Sequence, residues 1–140
     1  MFSWHSPPQA SDAPQPSSAE QPSTEARSWS ALMHVAGLAS YLAPVPGAGI
    51  VAPLVLWLVR RDESAFEQRQ GLLAINFQLI CAALYLGSLL LVPLLIGVPL
   101  VLLVVVLHVV ATLAATIMAA SGRSARYPLN PQVFTANTLR

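Results

Sequence analysis

The sequence predicts an all-α integral membrane protein, a bundle of about four transmembrane helices behind a disordered N-terminal tail. Three observations carry that expectation. Of 140 residues, 55% are hydrophobic and only 9% charged, far from the composition of a soluble domain. No Asp, Glu, Lys or Arg occurs between Arg27 and Arg60, nor between Arg69 and Arg123. Clusters of Pro and Gly interrupt both uncharged blocks, so each reads as a pair of helical arms.

Residues 1–27 are dominated by Pro, Ser, Gln and Ala, with Pro7, Pro8, Pro14, Pro16 and Pro22 breaking any helix. Such a stretch buries too little apolar area to offset its ordering entropy and reads as a disordered cytoplasmic tail. It has neither the basic start nor the apolar core of a signal peptide, so the first membrane helix is expected to direct insertion.

The membrane domain is expected over residues 28–121, with helical segments at about 28–43, 50–59, 72–95 and 99–120. Between the first two lies Pro44-Val45-Pro46-Gly47-Ala48-Gly49. Proline removes a helix hydrogen bond and clashes with the preceding turn, and glycine permits the positive φ of a reversal. The arms rise about 24 Å and 15 Å, so the second is short for a crossing. Two arrangements follow: a thin helical hairpin, or one crossing with a broken middle. Arginine placement favours the hairpin, because it puts all seven Lys and Arg residues on one side, the cytoplasmic one by the positive-inside rule. Trp29 and Trp57 suit an interface in either arrangement.

The connector, RRDESAFEQRQ over 60–70, opens with two cations where a helix C-terminus favours them. Ser64 and Glu67 have the spacing of a capping box. A helix is therefore expected to start near Ser64, run along the membrane surface and dip into lipid near Gly71; a solvated loop of mixed charges is the alternative. Pro93, Gly97 and Pro99 then separate the third helix from the fourth, and Gly122 stops the fourth. Residues 122–140 form a C-terminal cytoplasmic tail. Both termini are thus expected on the cytoplasmic side of a multi-pass protein of the cell's inner membrane.

Polar groups are costly in hydrocarbon, so those inside a span face a neighbour or a wetted cavity. On the fourth helix, His108, Thr112 and Thr116 recur every four residues beside Ala111, Ala115 and Ala119, a stripe that lets backbones approach closely. On the third, Gln78, Cys81, Tyr85 and Ser88 follow steps of three and four. The two stripes are expected to meet as a polar seam between helices. Asp62, Glu63, Ser64, Phe66, Asn76 and Phe77 form a candidate interface at the connector, with Asn76 and Gln78 near enough to the headgroups to reach water.

Several chemistries are not expected. The net charge of +1 with no basic stripe gives nucleic acid nothing to bind. Cys81 stands alone and cannot form an internal disulfide. A metal or haem held by His34 and His108 needs both at one depth, yet they lie about 7 Å and about 20 Å in from the same side. Neither apolar block holds an acidic residue, and Ser40 and Ser88 lack a convergent base and oxyanion hole. No cofactor and no enzymatic activity are expected.

Several motifs in order resemble a known family: Trp29, His34 and Gly37; the break with Pro53-Leu54 and Trp57; RRDES at 60–64; AINFQ at 74–78; and RYPLN at 126–130. Together they resemble the DUF4870 family, small bacterial membrane proteins grouped with Tic20-like proteins of the plastid import machinery. That resemblance implies a bundle of about four membrane helices without an established activity. The family pattern has a proline after DES and charges before NFQ; this chain has Ala65, Leu72 and Leu73 there, so the resemblance carries over no charged surface end for helix three. The partners expected are membrane lipid and another membrane protein or a second copy of this chain. A small channel or solute transporter subunit is the alternative, because interrupted helices border transport sites.

Overall fold

A computed structural model describes residues 21–42, 45 and 47–125, and every regular element among them is helical. They are α1 (Thr24–Val35), a 3-10 turn (Ala36–Leu38), α2 (Ala39–Leu42), α3 (Ala48–Arg60), α4 (Ala65–Leu90), a second 3-10 turn (Val92–Leu94) and α5 (Gly97–Ala120). Most of the expected N-terminal tail, the RYPLN motif and most of the C-terminal tail lie outside the described residues.

Helix α1 starts earlier than the sequence indicated. Ser23 caps it, its side chain accepting from Ala26 N at 3.1 Å, so Thr24 to Arg27 belong to the helix rather than to the tail. After α2 the chain doubles back. Gly47 at φ +83° opens α3, a left-handed value that glycine adopts without strain. Pro53 sits inside α3, one turn past the helix start at Ala48, where its missing N–H gives up a single intrahelical bond.

Contrary to a surface helix that bends at Gly71, α4 runs unbroken for 26 residues from the connector. The capping box explains its start: Glu67 N donates to Ser64 Oγ at 3.1 Å, and Ser64 Oγ donates back to the Glu67 carboxylate at 2.7 Å. At the far end of α5, Gly122 takes φ +74°. Gly122 N reaches Ala119 O at 3.0 Å and Arg123 N reaches Met118 O at 2.9 Å, the paired bonds of a Schellman stop.

Two small cores hold the helices together. Phe77 and Cys81 of α4 pack on Ala115 of α5 and on Ala125, with Leu73 and Ala111 beside them. Met33 of α1, Trp57 of α3, and Leu72 and Ile75 of α4 form the second. Gly71 admits Trp57, since a Cβ there would run into the indole.

Among the described residues, only α4 and α5 have the length and apolar character to cross a membrane, and just 22% of the most apolar stretch of α5 is covered by the rest of the chain. A core helix of a soluble protein is covered on all sides. Here Leu86, Leu90, Leu95, Leu102, Leu103 and Ile117 are each exposed by more than half, a surface that water disfavours and hydrocarbon accepts.

Candidate functional site

Among the described residues, the charged side chains that form ion pairs gather at one end of the bundle. Arg60, the last residue of α3, places Nε 2.9 Å from Glu67 Oε1 and an Nη 2.9 Å from Glu25 Oε1, and its guanidinium lies over the Trp29 ring at 5.0 Å. Three helices are thereby tied at one point. The Glu67 side chain is 1% exposed and Glu25 67%, so the inner ion pair is desolvated while the outer one faces solvent. Some desolvation opposes the charge on Arg60, but the hydrogen bond and charge of Glu67, and then Glu25, raise its pKa above the ordinary arginine value. Beside it, Arg61 covers Trp57 at 5.6 Å, and the Trp57 indole donates to Gln68 O at 3.2 Å.

Just inside that collar, fully buried Gln70 joins three segments. His34 Nε2 of α1 donates to Gln70 Oε1 at 2.9 Å, the Gln70 amide donates to Arg123 O at 3.0 Å, and Ala125 N donates to Oε1 at 3.3 Å. Farther in, the Tyr41 hydroxyl and His108 Nδ1 share a hydrogen bond of 2.8 Å, with the Phe77 ring 5.7 Å from the imidazole. Among the described residues, Ser30 Oγ, His108 Nε2 and Thr112 Oγ1 are buried without a hydrogen-bond partner. The inner face of α1, α4 and α5 is thus a polar column that includes Ser30, His34, Gln70, Asn76, Thr112 and His108, all buried.

The expected seam between the third and fourth helices divides in two. Cys81 meets α5 through Ala111 and Ala115, and His108 and Thr112 are buried as the stripe requires. Gln78 instead packs on Gly37 of the first 3-10 turn, where a Cβ would collide with its amide. Tyr85 is 41% exposed. Ser88 and Thr116 satisfy themselves within their own helices, on Leu84 O and Thr112 O at 2.8 Å each. The physical reason is twist: at 3.6 residues per turn a stripe from 78 to 88 winds around α4, so its two ends face different neighbours.

The connector residues also part company. Asp62 and Glu63 are exposed and Ser64 caps α4, with Asp62 3.5 Å from Arg61 in an exposed ion pair. Phe66 is half-buried, while Asn76 and Phe77 are buried in the bundle rather than at its surface. His34 and His108 have different partners, and no three His, Cys, Asp or Glu side chains converge as a metal cage among the described residues. Sequence reading missed Gln70, the bond of Tyr41 to His108 and the buried pairing of Arg60 with Glu67. Only the capping-box spacing hinted at any of these.

The comparisons with known proteins redirect the family assignment. The MamF/MmsF family, described as the magnetosome magnetite crystal formation protein family, matches residues 25–134. The resemblance to the DUF4870 and Tic20-like proteins is overturned by that match. An interfacial Trp, a Pro and Gly break, a basic helix end and a capping Ser are what any short-looped membrane bundle requires, so they do not separate one such family from another. No curated protein and no solved structure matches the chain. Because the match spans well over half of its length, the chain belongs to the MamF/MmsF magnetosome magnetite crystal formation protein family.

Proposed function

We propose that this protein is a multi-pass component of the magnetosome membrane that serves magnetite crystal formation without enzymatic activity, through contact with another membrane protein or a second copy of itself. The charge layout carries the reading. From Gln70 to Gly122 there is no Asp, Glu, Lys or Arg, so the end of the bundle opposite the arginines offers no carboxylate to iron or to a mineral face. With the arginines on the cytoplasmic side, the compartment-facing loop around Pro93 to Gly97 is apolar, and influence on the crystal has to pass through a partner.

Photo-crosslinking in native membranes tests this, with the reactive group at Leu103, which is 62% exposed on α5. A discrete protein adduct is expected, together with altered crystal size when the gene is deleted. Adducts to lipid alone, or a topology reporter after Asp62 on the crystal side, would overturn the reading.

A second reading, a small channel or transporter subunit, is favoured by the polar column, because buried histidines in membrane helices mark ion and proton paths. It requires flux. Leak from liposomes carrying the protein, reduced by His108→Gln, supports it; leak no faster than that of empty liposomes removes it.

A further inference from the structure

The helices do not reach equally far from their common charged end. Helix α3 has 13 residues and rises about 20 Å, short of the roughly 30 Å of hydrocarbon in a bilayer. Helices α4 and α5 have 26 and 24 residues and rise about 39 Å and about 36 Å. Arg60 fixes the starting level, since it touches Glu25 of α1 and Glu67 of α4 at 2.9 Å each. The whole shortfall therefore lies at the opposite end.

Side-chain contacts place the tip of the α1 to α3 hairpin. A Cβ at Gly49 would meet Ser40 and the Gly37 carbonyl, and one at Gly37 would meet Gln78, while Tyr41 bonds His108. From Gln78 to Leu90 on α4 is about 18 Å, and from His108 back to Gly97 on α5 about 16 Å. Along those lengths residues 83–87, 89–96, 98–99 and 102–103 are exposed, so no part of the hairpin covers them.

The tip has the chemistry of a segment that stays in hydrocarbon. Leu42 and Val45 are 88% and 60% exposed, and no charge occurs from Ser28 to Val59. Gly49 N donates to Ser40 Oγ at 2.8 Å, which satisfies a donor of the first turn of α3 from within the hairpin.

We propose that the hairpin is re-entrant, entering and leaving through the arginine-side leaflet, so that the chain is a wedge whose partner is a lipid surface convex on that side. Four helices fill the arginine-side leaflet, and only two continue to the far surface of the other. With helix diameters of about 10 Å, the difference is about 160 Å² of cross-section. A bilayer accommodates it by curving so that the wide end lies on the outside. This goes beyond the contact role proposed above and rests on the same membrane-spanning reading.

The full chain, labelled on its N-terminal tail and reconstituted into lipid vesicles of mixed diameter, reads the wedge directly. Density per unit area at least about twofold higher on the smallest vesicles than on the largest is expected; equal density overturns the wedge. In the same vesicles, a membrane-impermeant maleimide should modify Asp62→Cys from one side and Ile96→Cys from the other, and Val45→Cys from neither, with the wild type reporting Cys81. Modification of Val45→Cys from the Ile96 side would mean a full crossing and overturns the re-entrant hairpin. Alkaline washing separates the two readings: release from the vesicles removes the membrane-spanning reading itself, whereas retention with equal densities overturns the wedge alone.

Discussion

His34 and Gln70, 36 residues apart in the chain, meet through a 2.9 Å hydrogen bond between side chains that are 1% and 0% exposed. Gln70 Oε1 also accepts from Ala125 N, and Gln70 Nε2 donates to Arg123 O, so one amide fastens the C-terminal segment to the bundle. Replacing it by Leu keeps the volume and removes every bond, at about 1–3 kcal/mol for each buried group left without a partner. We expect Gln70→Leu to melt earlier in detergent and to lose protection from proteolysis near Ala125. Cleavage there at the wild-type rate would show that Gln70 does not hold the segment.

The collar around Arg60 yields an ordered pair of outcomes. Glu67 is buried and bonded to both Arg60 and Ser64, whereas the Glu25 carboxylate faces solvent. Buried partners are costly to remove and exposed ones are not. Thermal melts should therefore rank Glu67→Ala well below Glu25→Ala, with Glu25→Ala close to the wild type. High salt should shift the Glu25 contribution and leave that of Glu67 nearly unchanged. The reverse order would mean that the outer pair, which ties α3 to α1, outweighs the inner one, which ties α3 to α4.

Much of this architecture is legible in the residues, and the boundary of legibility is physical. Pro44 to Gly49 announce the reversal because backbone chemistry is local, and Ser64 with Glu67 announces the start of α4 for the same reason. The small residues Ala111 and Ala115 mark where α4 approaches α5, since only size limits that distance. What spacing cannot give is the rotational phase of one helix against another. Gln78 faces Gly37 rather than α5, and Gln70, in a run of mixed charges, is drawn inward by His34. Tyr85, on the same winding stripe, is left 41% exposed rather than seated on α5, a matter of rotational phase that emerges only when four helices are set side by side.

Two glycines of α4 separate packing from propensity. A Cβ at Gly71 would strike Trp57, whose indole is held by Gln68 O at 3.2 Å and cannot swing away freely. Gly71→Ala should therefore cost about 1–3 kcal/mol, as overpacking does. Gly87 has nothing within 4 Å of its Cβ position, so Gly87→Ala should leave the melting temperature unchanged or raise it by an amount worth up to about 1 kcal/mol. Equal losses at both sites would mean that Trp57 does not pack on Gly71.

Thr112 offers the sharpest division between structure and function. Its side chain is fully buried and its hydroxyl has no partner among the described residues, so the group carries a desolvation cost with no bond to offset it. Thr116, one turn on, uses its hydroxyl to bond Thr112 O at 2.8 Å. Thr112→Val, near in shape, should hold or raise the melting temperature, whereas Thr116→Val should lower it by an amount worth about 0.5–1.5 kcal/mol of stability, that of one hydrogen bond. If the chain kept a destabilising hydroxyl for packing alone, crystal size in cells carrying Thr112→Val would match the wild type. Altered crystals from a stable Thr112→Val protein would instead place the hydroxyl in the working polar column beside His108, and would favour the transport reading over contact.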